Sequence, residues 1–379
     1  MNSYSSVNTP RLTGRHLEAA LRRRLEELWE EIPWLQGAEV RAAEAVQGGK
    51  EAGFDLESRL PLPGGGRTQL CIEVKSVLHP GDVPRLAEQV KNGLPEGASF
   101  VLALPWVSER LADLCAQRGW SWYDLAGNCR IDIPGLLHLN HTGNPPVHER
   151  PRQKGSLRTA EAARVVRALL HPDHLPMRWT QRDMQKHCQP GVSLGLVNKV
   201  VRHLIEEAYL TELEGGGFRL TDPVKLLQAW RNAYRFERHQ RLSFFTLLQG
   251  RKLQDALARL DVEAGGRAAY ASFSAADFQA PHVRQPKTWL FVAHEELPRL
   301  QNLAEAKPVD SGENLVVLVP EDDGVFYLGD SVGEGRMRAT CAVQTYADLC
   351  HSGGRGQEAA EALLNQQLIP AWKAAGWQP

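Results

Sequence analysis

The run Thr180–Leu220, TQRDMQKHCQPGVSLGLVNKVVRHLIEEAYLTELEGGGFRL, decides how the middle of this 379-residue chain is read. Gln181 to His187 suits a short first helix, and Pro190-Gly191 makes a turn. Ser193 follows with a hydroxyl that can satisfy a free backbone N–H at the start of a second helix. From Ser193 to Glu207 the apolar residues Leu196, Val197, Val200, Val201, Leu204 and Ile205 recur at helical spacing. They leave Asn198, Lys199, Arg202 and His203 largely on the other faces. Tyr209–Leu213 and Phe218–Leu220 are two short strands, joined by Glu214-Gly215-Gly216-Gly217 as the tip of a wing. The order is that of a winged helix-turn-helix.

Such a helix enters the major groove with its buried face anchored and its exposed N-terminal part turned to base edges and phosphates. The candidate DNA contacts are Arg182, Ser193, Asn198, Lys199, Arg202 and Arg219. Lys199 and Arg202 can neutralise phosphates, while Asn198 can hydrogen-bond a base. A small helical domain that binds protein, or merely connects domains, has the same outline. Charge favours double-stranded DNA. Residues 148–252 carry 19 Lys/Arg against 10 Asp/Glu, whereas residues 1–147 carry 15 against 18 and residues 253–379 carry 10 against 17. The net charge of −1 excludes a generally sticky polycation, and the positive charge lies around the winged helix, where a polyanion would dock.

The length predicts two or three domains, and the composition is that of a soluble globular protein. No apolar run reaches the length of a membrane span, and MNSYSSVNTPRLTGRH has no apolar signal core. A cytoplasmic protein is expected. The six cysteines form no CxxC pair and read as small buried residues in a reducing compartment. His138/His141 and His171/His174 read as loop histidines.

Towards the N-terminus, residues 1–14 are polar, and Leu17–Glu31 is an amphipathic helix with a stripe of Leu17, Leu21, Leu25 and Leu28. Strands are expected at Val40–Val46, Gly53–Leu60, Gln69–Ser76, Ser99–Leu104 and Ser121–Asp124, with CRIDI after a Gly127-Asn128 turn. Helices are expected at Asp82–Lys91 and Ser108–Arg118. The succession is α/β with a mixed sheet. Within it stand Asp55 and, on the following strand, Glu73-Val74-Lys75, whose period-two geometry turns Glu73 and Lys75 to one face. On these residues the segment 17–133 resembles the PD-(D/E)XK nuclease fold. The resemblance implies Asp55 and Glu73 as Mg²⁺ ligands, Lys75 as the residue that orients water or stabilises developing charge, and Gln89 as an accessory position. Gly53-Phe54 precedes Asp55 where the motif has proline. An E-x-K on an exposed strand is common, and a nuclease-like domain can serve as a platform without chemistry. Asp124 and Asn128 are explained by the turn that they flank.

The composition changes at NHTGNPPVHERPRQKGS (140–156) to that of a linker with a basic second half. Leu157–Leu170 and Val224–Tyr234 are helices that flank the helix-turn-helix. Further on, Phe244–Leu260 is expected to be helical. Ala268–Phe273, Thr288–Ala293, Leu315–Val319 and Val325–Leu328 are expected as strands, and Thr340–His351 and Gly356–Leu368 as helices. The run VQTYADLCHSGGRGQEAAEALL (343–364) carries Gln344, Tyr346, Asp348, Leu349, Gly354, Arg355, Glu358, Ala359 and Ala360. On these, with YASFSAADFQAP and SLGLVNKVVRHL, residues 157–368 are similar to AbiEi-type antitoxins, transcriptional regulators of type IV toxin–antitoxin and phage-abortive systems.

The expected architecture is therefore a restriction-endonuclease-like mixed sheet (1–140), a linker (141–156), a central winged helix-turn-helix (157–235) and a C-terminal AbiEi-like α+β domain (236–379). The expected function is that of a DNA-binding transcriptional regulator, antitoxin-like and homodimeric. The resemblance implies a nucleotidyltransferase-type toxin as partner. Two other readings stand beside it: a Mg²⁺-dependent DNA endonuclease, and a non-catalytic adaptor among mobile-element or defence proteins. No cofactor is required unless the nuclease-like site is active, in which case it is Mg²⁺.

Overall fold

Leu17, Leu21, Leu25 and Leu28 recur every three or four residues, and in the computed structural model they form the buried face of α1 (Arg15–Glu30). The structure describes residues 13–43, 53–62, 65–147 and 157–378. The polar N-terminus up to residue 12, residues 44–46 of the first expected strand, Pro63-Gly64 between the second and third expected strands and the basic half of the expected linker lie outside the described residues. The chain divides into two compact units, Met1–Gln153 with Glu206–Ala208, and Lys154–Ile205 with Tyr209–Pro379.

In the first unit α1 is followed by β1 (Val40–Ala42), β2 (Leu56–Pro61), β3 (Arg67–Val74), α2 (Val83–Gly93), β4 (Ser99–Leu104), α3 (Glu109–Gln117), β5 (Ser121–Asp124), β6 (Cys129–Ile133) and β7 (Leu137–His141). The seven strands form one sheet in chain order. β1, β2 and β3 are antiparallel, β3, β4 and β5 are parallel, and β5, β6 and β7 are antiparallel again. Parallel neighbours need crossovers, and α2 and α3 supply them. Alternation along β4 sends Val101 and Ala103 into the core under α1, while Phe100, Leu102 and Leu104 join Val83, Leu86 and Trp120 on the other side. Trp29 Nε1 donates to Ser58 Oγ at 3.2 Å, and Tyr123 OH donates to the Leu21 carbonyl at 3.2 Å, so α1 is fixed to the sheet by polar bonds inside its apolar contact.

The compositional change at Asn140 is not where this sheet ends. β7 runs through His141, and Asn144 is bonded to Asn128 Oδ1 (2.8 Å) and to the Ala126 carbonyl (2.9 Å). His138 and His141 therefore lie on an edge strand and not in a loop. Edge strands keep one solvated side, so polar residues there carry no sign of the strand beneath them.

The second unit contains α4 (Ala160–Leu170), α5 (Gln181–His187), α6 (Leu194–Glu206), β8 (Leu210–Glu212), β9 (Phe218–Leu220) and α7 (Pro223–Ala233). There follow β10 (Gln240–Phe245), α8 (Gly250–Glu263), β11 (Ala268–Tyr270), α9 (Ser272–Gln279), β12 (Thr288–Val292), α10 (Leu297–Leu303), β13 (Lys307–Pro308), β14 (Leu315–Val319), α11 (Ala342–His351), α12 (Gly356–Leu363) and α13 (Ile369–Ala374). β8 pairs with β9, and a five-stranded sheet has the order β11-β12-β14-β10-β13. No helix among the described residues is long and apolar enough to cross a membrane. All six cysteines are free; five are buried and Cys350 is half-buried.

Three expectations are corrected here. Phe244–Leu260 is not one helix: Phe244 and Phe245 end β10, which pairs with β14, and α8 starts only at Gly250, whose φ of +53° breaks the chain direction. The strand at Ala268 stops at Tyr270, because Ser272 turns at φ +46° into α9. Val325–Leu328 is no strand; Asp323–Phe326 form a 3₁₀ turn capped by Asp322, whose Oδ1 accepts from Gly324 N at 2.9 Å. A short buried apolar run does not reveal its backbone by periodicity.

Within the second unit, α4, α7 and α11 meet around a buried polar chain. Arg167 on α4 donates from Nε to Gln344 Oε1 (2.6 Å), and its guanidinium lies over the Trp230 ring of α7 at 5.4 Å. Gln344 Nε2 donates to Asp348 Oδ1 (2.7 Å) and to Tyr234 OH (2.8 Å), and Tyr234 OH donates to the same Asp348 oxygen (2.7 Å). Among the described residues Asp348 Oδ2 has no hydrogen-bond partner. Burial pushes the Asp348 carboxyl up to about 7, against the weaker pull of its hydrogen bonds and of Arg167. In this state the folded chain holds a proton that the unfolded chain has released, so stability falls as pH rises from about 4 to about 7. Asp348→Asn keeps the bonded oxygen and removes the titration. The variant is expected to flatten the dependence of stability on pH in that window, by at most about 1.4 kcal/mol per pH unit. Urea unfolding at several pH values checks this, and profiles of equal slope for both proteins would refute it.

Candidate functional site

Two groups of side chains suit chemistry or binding, one in each unit. In the second unit Thr180 caps α5: its Oγ1 accepts from Asp183 N at 3.2 Å. Ser193 caps α6 in the same way, with Oγ accepting from Leu196 N at 3.2 Å. Val197, Val200, Val201 and Leu204 bury one face of α6 against Trp179, Met184 and Leu226. That packing turns Ser193, Leu194, Gly195, Lys199 and Arg202 to solvent, with Asn198 half-buried at the margin. His203, expected off the apolar face, is buried. Three residues after the buried Val200, it falls on the side of α6 that turns inwards.

The ribbon β8–β9 is tied to the same core. Trp179 and Phe218 exchange backbone bonds of 2.9 and 2.8 Å, an isolated bridge on the side of β9 away from β8. Arg178 donates from Nε to the Gly216 carbonyl (2.9 Å) and from Nη2 to the Glu214 carbonyl (2.7 Å), bracing the tip. Gly217 has φ +82°, and a Cβ there would stand 2.7 Å from the Trp179 carbonyl, so only glycine fits. Arg219 is exposed opposite Thr211. Arg182 is exposed on α5. Among the described residues Arg182, Lys199, Arg202 and Arg219 enter no ion pair, whereas Arg164 and Arg238 are engaged with Asp322 and Glu321. Sequence reasoning missed Gln181, whose Oε1 accepts from Asn198 Nδ2 at 3.2 Å, and Arg178. Both act across a turn, where periodicity is silent.

In the first unit the four nuclease-motif residues come together. The register sets Leu56 opposite Ile72, so Asp55, one residue ahead of β2, reaches the end of β3. Asp55 Oδ2 accepts from Val74 N at 2.7 Å. Glu73 is 3% exposed; its Oε1 is paired with Lys75 Nζ and accepts from Gln89 Nε2 at 3.4 Å. Glu73 Oε2 is buried without a hydrogen-bond partner among the described residues. Oxygen donors and an unused buried lone pair fit Mg²⁺, which binds through one or two carboxylates with water completing its shell. They do not fit a metal that needs a protein cage, since no group of three or more His, Cys, Asp or Glu among the described residues could hold an ion. Asp124 stands apart. Its carboxylate accepts from Asn128 N (3.0 Å), Asn128 Nδ2 and Val107 N (3.3 Å), which is a turn-stabilising role.

The motif near the C-terminus is built inwards. Gln344 and Asp348 are buried in the polar chain described above, while Arg355 and Glu358 pair on the surface at 2.7 Å. Gly356 packs where a Cβ would collide with the Leu349 carbonyl, which sets the close approach of α11 and α12. No curated protein and no solved structure matches the chain. Residues 219–369, from the second ribbon strand to the start of α13, match the family described as transcriptional regulator, AbiEi antitoxin, of type IV toxin–antitoxin systems.

Proposed function

We propose that this chain is an antitoxin-type transcriptional regulator that grips duplex DNA through a winged helix-turn-helix made of α5, α6 and the ribbon β8–β9. The observation that carries the reading is the solvent face of α6, where Asn198, Lys199 and Arg202 follow a capped N-terminus on a helix anchored by four buried apolar residues. The exposed Arg182 and Arg219 flank it and suit the phosphates on either side of a groove. The matched family supports the regulatory role and a toxin partner. The nucleotidyltransferase type of that partner, and binding as a homodimer on two half-sites, belong to the same proposal. A dimer would set the half-sites about one helical turn, roughly 34–36 Å, apart.

Binding to a duplex from the chain's own promoter, followed by fluorescence anisotropy across a salt series, tests this. Every phosphate that the protein ceases to neutralise reduces the slope of log K against log salt by about 0.9. Lys199→Ala with Arg202→Ala is expected to reduce it by about 1.8 and to weaken all duplexes alike. Unchanged slopes in the double variant would exclude α6 as the phosphate-contacting element.

A second reading, a metal-dependent DNA nuclease in the first unit, is favoured by one observation: the partnerless Glu73 Oε2 beside Asp55, Lys75 and Gln89. Asp55 and Glu73 would hold Mg²⁺, which supplies charge neutralisation at the phosphate. Lys75, already on Glu73, would sit within reach of an attacking water. On this reading Mn²⁺ binds to the intact chain and not to Glu73→Gln, and DNA cleavage is lost in Lys75→Ala. Calorimetry without a binding signal, together with intact DNA after incubation with Mn²⁺, would leave the first unit without metal chemistry.

A further inference from the structure

Asn198 lies four residues after Leu194, so the two share one face of α6. The Asn198 amide is not free to spin. Its Nδ2 donates to Oε1 of Gln181, the first residue of α5, at 3.2 Å. That bond uses one of two amide hydrogens and sets the plane of the group. Oδ1 and the second N–H remain for another partner. An acceptor beside a donor matches adenine, which offers N6–H and N7 on its major-groove edge. Guanine offers two acceptors there, N7 and O6, and would leave Asn198 Oδ1 without a donor.

Leu194 is 39% exposed, among the few large apolar side chains turned to solvent. The C5 methyl of thymine gives such a side chain an apolar partner in the major groove. Gly195 lies between the two, one residue after Leu194. Glycine is a weaker helix former than alanine. No packing demands this one, because a Cβ there would meet nothing within 4 Å. Its bare backbone instead permits close approach of a large partner on this face.

We propose that α6 selects A·T-containing duplex: Asn198, held by Gln181, pairs with an adenine through both amide atoms, and Leu194 packs on a nearby thymine methyl. Gln181 is a positioning residue that acts through Asn198. The proposal rests on the reading of α6 as the groove-entering helix.

The test selects bound sequences from a randomised duplex pool with the full-length chain, then measures affinity for the selected duplex and its single A·T to G·C changes. Wild type is expected to favour one adenine by about tenfold or more. Asn198→Ala should erase that preference while duplex binding persists. Gln181→Ala should weaken it, and Gln181→Glu, which keeps an acceptor for Asn198, should restore it. Leu194→Ser should remove a thymine preference at a neighbouring step. Full adenine preference in Gln181→Ala, or a guanine at the position that Asn198→Ala erases, would overturn the proposal while leaving DNA binding intact. Failure of wild type to bind any duplex would instead remove the underlying reading, and this one with it.

Discussion

A guanidinium that is 2% exposed needs partners where it stands, and Arg167 draws them from two other helices, with Nη1 left without a hydrogen-bond partner among the described residues. α4 brings the charge, α7 brings the Trp230 ring and Tyr234, and α11 brings Gln344 and Asp348. None of these partners is near Arg167 in sequence, so the polar chain forms only when the helices that flank the helix pair and the family-matched segment are packed together. Apolar contacts around it supply most of the gain in burial, but they tolerate sliding. Hydrogen bonds of 2.6–2.8 Å do not. The chain of contacts therefore sets one arrangement of α4, α7 and α11 among the several that their apolar stripes would allow. Trp372 adds to it, donating from Nε1 to the Leu170 carbonyl at 2.8 Å in the same last turn of α4 that holds Arg167.

The same logic separates the arginines of this unit. Arg164 and Arg167 look alike in sequence, three residues apart on one helix. Arg164 meets Asp322 in a two-oxygen pair, with Nε at 3.1 Å from both Oδ1 and Oδ2, and also donates to the Gly191 carbonyl at 2.8 Å. Both are structural charges. The cations left on the surface of α5, α6 and β9 have no such employment, and the local positive balance of residues 148–252 is thus divided between architecture and surface.

Much of the site is legible in the sequence because its signals are short-range. The Val197–Leu204 stripe, the serine cap and the triple glycine of the ribbon each follow from local geometry, and the structure has them as read. Asp55, Glu73 and Lys75 are readable from strand periodicity, and the register of β2 on β3 brings them together. What is not legible depends on distant partners. Gln344 and Asp348 can be picked out by resemblance, yet nothing in QTYADL says that both are buried against an arginine about 180 residues upstream. Gln240–Phe245 becomes a strand because β14 offers it an edge, and the paired backbone overrides a helical pattern that continues into α8. Gln181 reads as an ordinary helix start, and only its neighbour across the turn gives it a second role.

The thiols have a consequence of their own. Burial pushes Cys71, Cys188 and Cys341 up to about 11 and Cys115 to about 12, so at neutral pH almost none of these sulfurs carries the charge that reacts. Burial also raises Cys129 and the half-buried Cys350, so peroxide and electrophiles would find little thiolate to attack among the six. A cysteine introduced on the outer face of the ribbon tip would accordingly take a maleimide fluorophore nearly alone, and the native chain could be tagged there without first being stripped of its own sulfur.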